Sequence, residues 1–146
     1  MALRFLLDTS ALWAHFRREP GWNRVQELFE APETEVLASS LSLTEFARRL
    51  RVLGATREEA RSAAEAYREL VNEVVPVDEE VALAAFDLAC EISERLPLAD
   101  SLIAAAARVR GACLVHRDQH MVSIPARLVE QIDLSAEPSE EAESSS

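Results

Sequence analysis

The sequence predicts one α/β domain in three layers, α/β/α, built on a short parallel sheet. Three observations carry this. Short apolar runs alternate with longer amphipathic stretches along most of the chain. Strands that alternate with helices form a parallel sheet covered on both faces. The chain has 146 residues, 49% of them hydrophobic and only three glycine, which fits one helix-rich core and shows no internal repeat or linker.

The elements follow in order. Leu3 to Leu7 is an apolar run ending at Asp8-Thr9-Ser10, three residue types that favour a helix N-cap. A helix from Ala11 to Phe16 is expected next, then a turn at Pro20-Gly21 and a second helix to about Glu30. Val36-Leu37-Ala38 reads as a strand. Ser42-x-x-Glu45 has the form of a capping box, and Leu43, Phe46, Ala47, Leu50 and Leu53 give a helical stripe that Gly54 ends. Thr56-x-x-Glu59 opens another helix. Val74 to Val77 reads as a third strand, and Asp78-Glu79-Glu80 suits the start of a helix running to about Arg95. Pro97 begins a helix from Leu98 to Arg110, closed by Gly111. Ala112 to Val115 reads as a fourth strand and Gln131 to Leu134 as a short last one.

Composition excludes several chemistries. All 15 basic residues are Arg, so Schiff-base chemistry and the phosphate-loop lysine are both ruled out. The net charge of −11 argues against a broad basic surface for nucleic acid. It leaves room for a metal site, because a cation neutralises clustered acids. Cys90 and Cys113 read as buried structural thiols of a reducing compartment. No signal-peptide core and no membrane-length apolar run is found, so the expected location is the cytoplasm, with no membrane contact. The expected organisation is a domain over residues 1–134 and a disordered acidic Ser/Glu tail over 135–146.

In open parallel sheets ligands bind beyond the C-terminal strand ends. Asp8 follows the first strand, Asp118 follows the fourth, and Glu45 lies in the helix after the second. Asp100 lies in the first turn of the helix leading into the fourth strand. Antiparallel packing sets that turn beside the same sheet edge, so all four acids can converge. Each also has a plain structural reading: Asp8 as a cap, Glu45 in its capping box or paired with Arg48 and Arg49, Asp118 in an Asx turn. Asp100 resists such a reading, because its helix is apolar nearly all round and a buried carboxylate costs several kcal/mol unless compensated. Hard divalent cations take oxygen ligands, activate water and offset the charge that develops on a phosphate undergoing displacement.

Four segments together resemble the PIN-domain family, and more closely the VapC-type ribonuclease toxins of toxin–antitoxin pairs. They are Leu7-Asp8-Thr9-Ser10-Ala11-Leu12, Ser42-Leu43-Thr44-Glu45-Phe46-Ala47, the stretch from Leu96 to Ala105 containing Pro97-Leu98-Ala99-Asp100-Ser101, and Leu114-Val115-His116-Arg117-Asp118-Gln119-His120. The resemblance spans about Leu3 to Met121. It implies a PIN-like sheet of five parallel strands and a metal-dependent endoribonuclease acting on RNA. Asp8, Glu45, Asp100 and Asp118 then form the acidic quartet that holds Mg²⁺ or Mn²⁺. Asp8 and Asp100 would be direct ligands, with Glu45 and Asp118 on a second ion or acting through water. Thr9 and Ser10 would orient a ligand or phosphate. The resemblance further implies a homodimer and a cognate antitoxin as partner.

Two positions depart from the family pattern. His116 stands where Ser or Thr is common and reads as a surface-loop histidine or as a phosphate contact, and Met121 replaces an aromatic as a packing residue. Arg48, Arg49, Arg51, Arg57 and Arg61 form either a basic rim for phosphates or a solvated face paired with Glu58, Glu59 and Glu65. Trp13, Phe16 and Trp22 read as core or interface residues. An RNA-processing nuclease without an antitoxin and a non-catalytic binding module remain alternatives. A haloacid-dehalogenase-type phosphatase does not fit, because Ser10 stands where its second Asp is needed.

Overall fold

A computed structural model describes residues 2–136. The central strand β1 (Leu3–Leu7) alternates its last two side chains between two cores: Leu6 packs on one face, Leu7 on the other, and both are fully buried. Such burial on both sides is what a parallel strand between helical layers requires. β2 (Thr34–Ser39) pairs with β1 and with β3 (Glu73–Val75); β4 (Cys113–His116) pairs with the other side of β1 and with β5 (Gln131–Asp133). The order is β3-β2-β1-β4-β5, all parallel. The chain leaves β1 in one direction and later crosses to its opposite side at β4. The crevice beyond β1 and β4 is therefore the topological switch point, where open α/β sheets bind ligands.

The helices α1 (Thr9–Arg17), α2 (Trp22–Glu30), α3 (Ser40–Val52) and α4 (Arg57–Leu70) cover the face of Leu7. Trp13, Phe46 and Tyr67 fill that core, with Phe46 5.9 Å from Trp13 and 5.2 Å from Tyr67 in edge contacts. On the opposite face α5 (Glu79–Glu91) and α6 (Leu98–Arg110) pack Val81, Leu88, Ile103 and the Ala104–Ala107 run onto Leu6, Leu37 and Leu114. α7 (Gln119–Val122) is a single turn after β4, and Met121 is fully buried, as a packing residue should be.

Local signals hold at most ends. Thr56 and Glu59 make the expected capping box, Asp78 caps α5, and Gly111 closes α6 with φ +61°. The turn before α2 needs its glycine: Gly21 has φ +98°, and a Cβ there would come within 2.9 Å of Leu134 Cβ.

Other expectations are corrected. Ser42 is not a cap: β2 runs straight into α3, Ser39 is the N-cap, and Ser42 is buried within the helix. β3 stops at Val75, before Pro76, which has no N–H for a ladder. α5 ends at Glu91, four residues short of Arg95, because Ile92 is already extended. Cys90 is exposed on α5 and Cys113 only half-buried, so the two are not buried structural thiols; burial still pushes the Cys113 thiol up to about 11. Leu134 and Ser135 belong to a 3₁₀ turn through Ala136, and the rest of the expected tail lies outside the described residues. No described helix is long and apolar enough to cross a membrane.

Candidate active site

Asp8 sits at the end of β1 as the N-cap of α1 and is 2% exposed. Its amide donates to Val115 O of β4 at 3.0 Å, which ties the switch point together. Oδ1 accepts from Ser10 Oγ at 2.6 Å and Ala11 N at 2.8 Å. The capping role and a place in the acidic site coexist in one residue. Burial, with smaller contributions from Asp118 and Asp100, outweighs those two hydrogen bonds and raises the carboxyl to about 7.

Asp100 projects from the first turn of α6 to the same crevice and is largely buried. Burial first, then the charges of Asp118 and Glu45, push it up to about 6 against the opposing effect of His120. Asp118, the N-cap of α7, accepts from His120 N at 2.9 Å. His120 Nδ1 lies 3.2 Å from Asp118 Oδ1 and 3.7 Å from Asp100 Oδ2. One ligand atom from each of Asp100, Asp118 and His120 falls within 4.8 Å of the others. Asp8 lies outside that tight set, yet near enough for its charge and theirs to interact.

Glu45 reaches the site from α3, although neither a capping box nor Arg48 or Arg49 holds it. Thr9 Oγ1 donates to Glu45 Oε1 at 2.5 Å. Thr9 Oγ1 is also 3.1 Å from Ser42 Oγ; since its one proton goes to the carboxylate, Ser42 is the donor of that second bond. Ser10 Oγ donates to Asp8 and accepts the Arg117 amide at 2.8 Å. The two hydroxyls that follow Asp8 therefore position acids and the β4 loop.

His116 is not a surface-loop residue: it is fully buried at the end of β4. Its Nδ1 accepts the Asp118 amide at 3.2 Å, so Nε2 carries the proton and donates to Gln131 Oε1 at 2.9 Å. Gln131 Nε2 donates onward to Ile124 O at 2.7 Å. The buried chain holds the loop that presents Asp118. Sequence reasoning missed this role and gave His120 none; the available signal was a histidine two residues to either side of a candidate acid.

All four predicted acids thus reach one edge. The set is made of hard oxygen donors, and Asp8 and Asp100 are raised first by burial and then by their acidic neighbours. A divalent cation fits such a donor set.

The PIN domain family model matches residues 5–126. A comparison with curated protein sequences finds no match. Among solved structures, VapBC-1 from nontypeable Haemophilus influenzae is similar at 20% identity and a TM-score of 0.72, covering 91% of this chain and 99% of its own. VapBC2 from Rickettsia felis, bound to a promoter DNA fragment, has 17% identity and a TM-score of 0.71, covering 90% and 98%. VapBC-5 from Mycobacterium tuberculosis has 27% identity and a TM-score of 0.59, covering 89% and 98%. With the family model spanning most of the chain and the fold shared along nearly its whole length, this protein belongs to the PIN-domain family.

Proposed function

We propose that this chain is a metal-dependent endoribonuclease, the toxin of a toxin–antitoxin pair. The observation that carries the reading is the convergence of Asp8, Glu45, Asp100 and Asp118 on the β1/β4 switch point, with Asp8 and Asp100 raised by burial and by their acidic neighbours. In this reading the acids hold Mg²⁺ or Mn²⁺, which supplies activation of water and charge stabilisation at the phosphate. Thr9 orients the Glu45 carboxylate, Ser10 orients that of Asp8, and His116 fixes the Asp118 loop. His120, 65% exposed at the mouth, stands where it can meet a phosphate oxygen.

The toxin role rests on membership of the family and on likeness to solved chains from toxin–antitoxin complexes. The proposed partners are an RNA substrate, a cognate antitoxin and a second copy of the chain, with the cytoplasm as location. The test is cleavage of a structured RNA pool by purified protein with Mn²⁺, Mg²⁺ or EDTA, beside Asp8→Asn. Discrete cuts that disappear with EDTA and in the variant support the reading. Equal cleavage by wild type and variant overturns it.

A further inference from the structure

A groove of about 410 Å³ runs between α3 and α4. Five arginines line it, Arg48, Arg51, Arg57, Arg61 and Arg68, with Glu65 as the lone acid. The chain as a whole carries −11, so this groove runs against the charge of its host. Arg61 pairs with Glu65 at 3.0 Å and Arg51 donates to Ala55 O at 2.9 Å. Among the described residues Arg48, Arg57 and Arg68 have no carboxylate partner within ion-pair distance. Of the five arginines expected at a rim or in ion pairs, Arg48, Arg51, Arg57 and Arg61 line the groove together with Arg68, and Arg61 makes the expected pair with Glu65. Arg49 lies elsewhere, 4.1 Å over the Trp13 ring in a cleft it shares with Ser10.

We infer that this groove is a docking track for the sugar–phosphate backbone of single-stranded RNA, extending the substrate away from the acidic crevice. The inference rests on the ribonuclease reading and names the part of the surface that grips its substrate. Two features favour a strand over a compact anion. The arginines are strung along the hairpin, and from Arg57 to Arg68 the α4 axis rises about 16 Å, so a ligand with repeating charge meets them in succession. The groove also shares a helix with the chemistry: Leu43, Thr44 and Arg48 line it from α3, the helix that carries Glu45. Its floor of Leu43, Ala47, Ala60 and Ala64 is apolar and made of mostly small side chains, open to the flat face of a base. Guanidinium groups suit phosphate oxygens by their forked geometry.

The test is binding of a labelled oligouridylate to the full chain in EDTA, read by fluorescence anisotropy over a range of salt. Arg48→Gln, Arg57→Gln and Arg68→Gln should each weaken binding about threefold to tenfold at low salt and lower the log–log salt slope by about 0.7. Arg127→Gln, an exposed arginine beside Glu91 and outside the groove, should change neither. A triple groove variant that binds as tightly as wild type overturns the inference. If Asp8-dependent cleavage persists in that variant, the groove fails while the ribonuclease reading stands. Arg-dependent capture of a labelled acidic peptide, without capture of the oligouridylate, also overturns the inference and assigns the groove to a protein segment.

Discussion

The fully buried His116 imidazole accepts the backbone amide of Asp118 through Nδ1, at 3.2 Å, while its other nitrogen is anchored on Gln131. A side-chain acceptor two residues before an amide is the arrangement that Asn, Asp, Ser or Thr makes in a turn. His116 therefore makes, with an imidazole nitrogen, the contact that a short polar side chain makes in such a turn. The resulting prediction separates geometry from packing. His116→Leu removes the acceptor and should cut metal-dependent cleavage about 10- to 100-fold. His116→Asn keeps an acceptor for the amide and should recover most of that loss. Rates and melting temperatures of both variants check this; equal rates in the two would show that the acceptor is irrelevant.

Asp8 ties stability to pH. Its folded-state pKa is raised from 3.8 to about 7, so its favourable contribution is complete below pH 3.8 and is lost as pH rises through 7. Asp100, raised to about 6, acts in the same direction. Asp8→Asn keeps an oxygen to accept from Ser10 and Ala11 while removing the charge. In EDTA at pH 8 the variant should be more stable than wild type by on the order of 2–4 kcal/mol, and near pH 4 the two should converge. Melting curves across that range check the sign. A wild type equal to or more stable than Asp8→Asn at pH 8 would show that burial of the charge carries no cost.

Loading the site should reverse that penalty. A cation at 100 times its dissociation constant stabilises the folded state by about 2.7 kcal/mol. Wild-type melting should therefore rise with Mn²⁺, and Asp100→Asn should lose most of the rise. A wild-type melting temperature indifferent to Mn²⁺ would favour the binding-module alternative.

Much of the architecture was legible in the residues because it depends on short windows. The limits of α6 follow from Pro97 and Gly111, the start of α4 from Thr56 and Glu59, and the parallel sheet from apolar runs between amphipathic stretches. The four acids were legible too, since strand ends and helix starts place Asp8, Glu45, Asp100 and Asp118 along one edge. Boundaries drifted where a neighbour in space decides: Ser42 looks like a cap until β2 is seen to enter α3 without a loop.

What the sequence determined by itself was periodicity, caps and the order of chemical groups, all set by interactions a few residues apart. Tertiary structure alone decided the partners. Thr9 meets Glu45 across 36 residues, and Gln131 reaches back to His116. Asp100 and Asp118 meet because α6 returns its first turn to the edge where β4 ends. Those pairings set the burial of His116 and the raised Asp8 and Asp100. Desolvation and through-space charge depend on which groups surround an atom, and no local pattern of residues records that.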